Sequence, residues 1–136
     1  MKKISIKFIT DFTPYPGTRS RDISHHSAEE FYEDLLEPKY IEAIANGVRL
    51  TIDLDGAAGY AGSFLDEAFG RLGHEFGLED VKYRLEIIST EEPYLVEDIF
   101  HSVEVWAKDG IHYNSSLSKD MKLEENNYFT SIKKKG

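Results

Sequence analysis

Apolar and polar residues alternate along three short stretches of the chain, as they do in a β-strand that is buried on one face. The clearest stretch runs from Val48 to Leu54 and leads into a glycine-rich loop. The predicted inward-facing residues are Ile4, Ile6 and Phe8 in the first strand, Val48, Leu50, Ile52 and Leu54 in the second, and Tyr83, Leu85 and Ile87 in the third. Three half-buried strands are therefore expected.

Two helices are predicted between the first and second strands. Ser27–Glu30 has the capping-box pattern and predicts a helix start, with Phe31 and Leu35 facing inward. Pro38 is expected to break this helix or to begin the next one, which ends at Gly47.

Two further helices follow the second and third strands. The first of them is predicted to begin with Ser63 as its N-cap, to use Asp66 as a weak capping-box partner, and to end at Gly77. Thr90 is expected to cap the final helix, which Gly110 closes.

This order of elements predicts a single α/β domain over residues 1–113. Helices between strands indicate parallel crossovers, and alternating strands favour a sheet with helices mostly on one face. The loop 11–26, rich in Pro, Gly, Ser and Arg, is long for a compact domain. Residues 111–113 are a candidate short strand, and residues 114–136 are expected to form a polar, weakly ordered tail.

The composition excludes several classes of protein. The 136 residues correspond to about one domain and include no cysteine, so disulfides and thiolate metal sites are ruled out. A net charge of −9, from 25 acidic and 16 basic residues, argues against direct nucleic-acid binding. We find no apolar run of the ~20 residues that a membrane helix needs, and expect a cytoplasmic protein.

The second strand and its loop carry the candidate chemistry. Gly56, Gly59 and Gly62 offer backbone N–H groups that could bind an anion or a nucleotide, or simply form a tight loop. Asp53-Leu54-Asp55-Gly56 resembles the opening motif of haloacid-dehalogenase-like phosphatases, which implies a Mg²⁺-dependent phosphotransferase using Asp53 and Asp55 as the alternative function. The loop has neither the Walker A nor the dinucleotide-binding pattern.

Two arginines precede the capping box. Arg19 and Arg21 could bind a phosphate or an acidic partner through their planar guanidinium groups, or could be ordinary solvated charges.

The layout and the segment 53–65 resemble the STAS domains of bacterial anti-sigma-factor antagonists. In those domains a strand leads through a short loop into a helix, and a serine at the start of that helix is phosphorylated by a partner kinase. Ser63 aligns with that serine. The aspartate, serine and glycine around it in that family are replaced here by Ala61, Gly62 and Phe64.

A closer resemblance is to a family of STAS-like domains of unknown function, often found in bacteria. Its signature Gly-Tyr-x-x-Ser-Phe-Leu-x-Glu-x-Phe-Gly is matched in full by Gly59, Tyr60, Ser63, Phe64, Leu65, Glu67, Phe69 and Gly70. An upstream pattern is matched in part by Gly17, Arg19, Ser27, Glu29 and Phe31. The resemblance implies a STAS-like βαβαβα sandwich with a small, mainly parallel or mixed sheet.

The resemblance also implies a function. It predicts a non-enzymatic regulatory module without cofactor or metal ion, which docks a protein partner such as a kinase-like ATPase or a transcription regulator. The expected binding residues are Gly59, Tyr60, Gly62, Ser63, Arg19 and Arg21, and Ser63 is the candidate phosphorylation site. A homodimer through the open sheet face is a further expectation.

Overall fold

The computed structural model describes residues 3–110 of the chain. The predicted strand at 111–113, the tail 114–136 and the boundary between them lie outside the described residues. The elements in chain order are β1 (Ile4–Lys7), α1 (Phe8–Asp11), α2 (Ala28–Phe31), a π-helical turn (Tyr32–Leu36), α3 (Glu37–Asn46), β2 (Leu50–Asp53), α4 (Gly62–Phe76), α5 (Leu78–Arg84), β3 (Leu85–Ile88) and α6 (Tyr94–Ala107). No helix within residues 3–110 combines the length and the apolar character that crossing a membrane requires.

The three strands form one parallel sheet in the order β1-β2-β3. Ile6, Ile52 and Ile87 lie side by side across it, and Ile6 and Ile52 are fully buried. The neighbouring row contains Ser5 and Glu86, which are exposed. This arrangement confirms the predicted small α/β fold, because alternate strand residues enter the core while the others face solvent.

Aromatic rings join the start of α4 to the first part of the chain. The Phe8 ring lies 5.0 Å from that of Phe31 and 5.7 Å from that of Phe64, measured between centroids. The Tyr60 ring also contacts Phe8, at 5.0 Å. Burying these large rings together fixes the loop before α4 against α1 and α2.

The helical run from Ala28 to Asn46 is continuous rather than broken. Ser27 caps it as predicted, because its hydroxyl accepts a hydrogen bond from the Glu30 N–H. The reciprocal bond of a capping box is shifted by one residue, because the Glu30 carboxylate accepts from the His26 N–H. Pro38 lies in the first turn of α3, directly after the π-helical turn. Proline cannot donate a backbone hydrogen bond and its ring crowds the preceding turn, so the wider π turn accommodates it.

The region before α6 differs from the sequence prediction in two ways. Residues 78–84 form α5, so β3 begins at Leu85, and Tyr83 is exposed on the helix rather than buried in a strand. Thr90 does not cap α6, which begins at Tyr94 after Pro93, because the Thr90 hydroxyl donates to Asp55 instead.

The helices α4 and α6 approach each other through glycine. A Cβ atom on Gly73 would lie 2.2 Å from the Val103 carbonyl oxygen, and one on Gly70 would lie 2.5 Å from the Trp106 ring. Because glycine has no side chain, α4 and α6 can pack this closely at these two positions. The contact with α6 holds α4 in place.

Candidate functional site

The loop between β2 and α4 is held in place by its own backbone N–H groups. The Asp55 N–H donates to the Asp53 carboxylate at 3.0 Å, and the Gly56 N–H donates to the Glu91 carboxylate at 2.8 Å. The Ala58 N–H donates to the Pro14 carbonyl at 2.9 Å. These three N–H groups donate within the protein, so an anion at this loop would have to be bound by other groups.

The two candidate catalytic aspartates hold loops together. The Asp55 carboxylate accepts from the Thr90 hydroxyl at 2.5 Å and from the Glu91 N–H at 3.0 Å, and the Thr90 bond is the main cause of its lowered pKa. Asp53 lies 3.5 Å from the Lys7 ammonium group. Within residues 3–110, no group of three or more His, Asp or Glu side chains is placed to hold a metal ion.

Tyr60 fixes the last part of this loop. Its hydroxyl donates to the Leu54 carbonyl at 2.7 Å, and its ring packs on Phe8. Burial raises the pKa of the Tyr60 hydroxyl, so the group remains neutral. Tyr60 therefore anchors the backbone from Gly59 to Ser63 beside the carboxyl end of the sheet, where ligands of parallel α/β proteins commonly bind.

Ser63 is not the N-cap of α4, contrary to the sequence prediction. Ala61 takes that position with an extended backbone, and Gly62 and Ser63 are the first two helical residues. No side chain of residues 3–110 caps this helix start, and Asp66 instead accepts from the Trp106 indole N–H at 3.2 Å. The helix starts earlier because Phe64, two residues after Gly62, enters the aromatic core. Ser63 is left exposed.

Gly59 and Gly62 give this segment an open surface. Gly59 has a φ of 156°, which favours glycine, and a Cβ added at either glycine would meet no atom within 4 Å. The backbone of both residues is therefore accessible next to the Ser63 hydroxyl.

Arg19 is brought to this end of α4. Its guanidinium group lies 2.9 Å from Glu67 and 3.3 Å from Asp66, and these bonds raise its pKa despite partial burial. The carbonyl of Arg19 also accepts from the Glu29 N–H at 3.2 Å, at the start of α2. Arg19 thus links the loop 12–27 to both α2 and α4.

Arg21 points to a different surface. It pairs with Glu33 at 3.1 Å and with Asp34 at 3.2 Å, both in the π-helical turn. The structure therefore brings Arg19, but not Arg21, into the neighbourhood of Ser63.

A cluster of charged groups between the π-helical turn and α4 was missed by the sequence analysis. Tyr32 donates to Glu75 at 2.6 Å, and the Arg71 guanidinium lies 4.3 Å from the centre of the Tyr32 ring. Burial and the nearby Glu75 raise the pKa of Glu37 to about 7. The only signal in the sequence is the four-residue spacing of Glu33 from Glu37 and of Arg71 from Glu75, which puts each pair on one helix face.

The comparison with known families agrees with this architecture. The family model for the STAS-like domain of unknown function (DUF4325) matches residues 27–95, from the N-cap of α2 to the first turn of α6. The match covers just over half of the chain and includes the Ser63 loop and Arg71, but not Arg19. No curated protein and no solved structure matches the chain.

Proposed function

The chain belongs to the family of STAS-like domains of unknown function, and we propose that it is a regulatory protein-interaction module without catalytic activity of its own. Its proposed docking surface, named here the Ser63 surface, consists of Gly59, Tyr60, Gly62, Ser63 and the exposed face of the first two turns of α4.

The proposal rests on one observation. An exposed serine and accessible backbone lie next to residues that are firmly packed in the fold. Ser63 lies in the first turn of a helix of 15 residues. Its neighbour Phe64 is fully buried, and Tyr60 is tied to the end of β2. A surface that is accessible but already ordered loses little conformational entropy when a partner binds it.

We further propose that phosphorylation of Ser63 regulates docking. A partner kinase would transfer the γ-phosphoryl group of ATP to the Ser63 oxygen, releasing ADP and the hydroxyl proton. The product carries about −1.5 to −2 charges at neutral pH. The positive end of the α4 dipole favours this charge in the free protein, whereas an interface formed around a neutral serine would have to desolvate it.

The partner class comes from the resemblance to STAS domains, which dock ATPase-like kinases and transcription regulators. In this proposal the partner binds unmodified Ser63 and releases the phosphorylated form.

The two other candidate functions have less support. A nucleotide or anion sensor at Gly56–Gly62 would have to do without the N–H groups of Asp55, Gly56 and Ala58, which donate within the protein. A Mg²⁺-dependent phosphotransferase would need Asp53 and Asp55 free of the contacts that now hold them.

Partner capture from native cell extract tests the proposal. Wild-type protein, Ser63→Ala and Ser63→Asp serve as parallel baits, and retained proteins are identified by mass spectrometry. We expect wild type and Ser63→Ala to retain the same partner and Ser63→Asp to lose it. Ser5→Asp is the matched control, because it adds the same charge to an exposed serine on the open sheet face.

Two results would contradict the proposal. Equal retention by Ser63→Ala and Ser63→Asp would remove the switch. Loss of the partner with Ser5→Asp alone would move the docking surface to the open face of the sheet.

A further inference from the structure

We propose that Arg19 responds to phosphorylation of Ser63. A phosphate on Ser63 would attract the Arg19 guanidinium away from Asp66 and Glu67. The loop 12–27 would then lose its side-chain contact with α4. This inference rests on the proposed function, in which Ser63 is the modified residue. It adds a mechanism by which a modification on α4 reaches a different segment of the chain.

The positions on α4 bring the groups together. Ser63 precedes Asp66 by three residues and Glu67 by four, so all three lie on one helix face with Cβ atoms about 5–6 Å apart. The Arg19 guanidinium already lies on this face, at 2.9 Å from Glu67 and 3.3 Å from Asp66. A phosphate on Ser63 would therefore lie on the helix face that the guanidinium already contacts.

The existing ion pairs are weak enough to be exchanged. The Arg19 side chain is 42% exposed, and the side chains of Asp66 and Glu67 are 36% and 15% exposed. Water reaches the guanidinium in both pairs, and the Asp66 pair, with two exposed members, contributes least to stability. A phosphate offers nearly two negative charges and three acceptor oxygens in a geometry that suits the guanidinium fork. It also adds charge beside two carboxylates, so without Arg19 the phosphorylated face would be strongly repulsive.

Movement of Arg19 would be transmitted to the loop. The backbone of residues 18 and 19 accepts hydrogen bonds from the Ala28 and Glu29 N–H groups, at 2.8 and 3.2 Å. The same loop carries Tyr15 and Ile23, whose exposed fractions are 73% and 72%. In this proposal the backbone bonds to α2 remain while the side-chain contacts to α4 are lost, so the loop keeps one of its two attachments and can present these two side chains differently to a partner.

The test installs phosphoserine at position 63 during translation, so that no kinase is needed. The second pKa of the phosphate is measured by ³¹P NMR in otherwise wild-type protein, in Arg19→Gln and in Arg21→Gln. An unperturbed phosphoserine has a second pKa near 6. We expect a value about half a unit lower in wild type and Arg21→Gln than in Arg19→Gln, because only Arg19 contacts this end of α4.

Hydrogen exchange of residues 12–27 provides the second measurement. Phosphorylation is expected to accelerate exchange in wild type, whereas unphosphorylated Arg19→Gln already exchanges at the faster rate. Glu67→Gln, which keeps Arg19 but removes one of its partners, should lower the phosphate pKa further. Far-ultraviolet circular dichroism checks that each variant is folded, because the fluorescence of Trp106, whose indole N–H donates to Asp66, would itself respond to changes at Arg19.

The outcomes separate this inference from the proposed function. A phosphate pKa that is the same with and without Arg19, or exchange in the loop that phosphorylation leaves unchanged, would overturn the inference while partner capture by the Ser63 variants could still succeed. Conversely, an Arg19-dependent phosphate pKa would stand even if no partner responded to Ser63→Asp.

Discussion

Replacing Glu37 with glutamine is expected to stabilise the protein at pH 8 and to leave its stability nearly unchanged at pH 4.5. Glu37 begins α3 and faces Glu75 on α4, which also accepts the hydrogen bond from the buried Tyr32 hydroxyl. Burial, followed by the hydrogen bond and the charge of Glu75, raises the pKa of Glu37 to about 7. Arg71 opposes this shift and Glu33 adds to it.

The size of the effect follows from that pKa. Displacement from the ordinary value of 4.5 to about 7 corresponds to about 3 kcal/mol for a fully buried group. Since water still reaches part of the Glu37 side chain, we expect about 1.5 kcal/mol, which is a shift of about 1 M in the urea midpoint for a domain of this size. Glutamine keeps a hydrogen-bond donor for Glu75 and carries no charge.

The direction with pH is fixed by proton uptake. The pKa of Glu37 is higher in the folded than in the unfolded state, so the folded state binds more protons between pH 4.5 and about 7. Wild type therefore has the full contribution of this group below pH 4.5, loses it as the pH rises through about 7, and stays at the lower level above. Glutamine does not titrate, so the difference between the two proteins opens across this window.

Urea unfolding at pH 4.5, 6 and 8, followed by the fluorescence of the single tryptophan, measures the difference. Glu97→Gln on the exposed face of α6 is the matched control. It makes the same change to a net charge of −9 without touching the cluster.

Two results would refute the reasoning about Glu37. One is an equal gain for Glu97→Gln, which would trace the effect to the overall charge. The other is a gain for Glu37→Gln that is the same at pH 4.5 and pH 8.

Four further substitutions test the packing and the hydrogen bonds around the site. Gly73→Ala should lose more than about 2 kcal/mol, because its Cβ would meet the Val103 carbonyl at 2.2 Å. Gly62→Ala has open space and should melt at or slightly above the wild-type temperature in circular dichroism, so equal melting of the two variants would contradict the packing argument. Ser27→Ala removes a fully buried helix cap and should cost about 1–2 kcal/mol in urea unfolding, whereas an unchanged midpoint would mean that the cap is dispensable. Tyr60→Phe loses the bond to the Leu54 carbonyl and should cost about 1 kcal/mol in the same assay, and no change would show that its ring alone anchors the loop.

The elements that the sequence predicts correctly are those whose signal is local. The alternation in β1 and β2, the N-cap at Ser27 and the end of α4 at Gly77 each depend on a few neighbouring residues. Such signals survive folding because the core requires the same period that the sequence carries.

The wrong predictions concern element boundaries that are set by tertiary packing or by an abrupt change from helix to strand. α5 passes into β3 without a turn residue, so the alternation of Tyr83 with Leu85 looked like the start of the strand. Ser63 is the best capping residue by type, yet Ala61 takes that position because Phe64 must reach the aromatic core.

The contacts around the candidate site could not be predicted from neighbouring residues, because they join segments that are far apart in the sequence. Arg19 meets Glu67 across 48 positions of sequence, and Asp55 meets Thr90 across 35. Contacts of this kind follow from how α2, α4 and β3 pack, not from the composition of either segment. The predicted binding roles of Ser63 and Arg19 remain predictions.

The π-helical turn makes the length of this helical run adjustable. The fully buried positions of the run are Ala28, Phe31, Tyr32, Leu36, Tyr40 and Ala43, and from Tyr32 onwards their intervals are four, four and three. Removing one residue between Tyr32 and Leu36 would give alternating intervals of four and three, the spacing of an ordinary α-helix. In that helix an ordinary α-helical turn would precede Pro38 in place of the wider π-helical turn, and the proline ring would crowd the carbonyl four residues earlier. Deletion of one residue between Tyr32 and Leu36 is therefore expected to be tolerated when Pro38 is replaced at the same time. Members of this family that are one residue shorter at this point should likewise lack the proline.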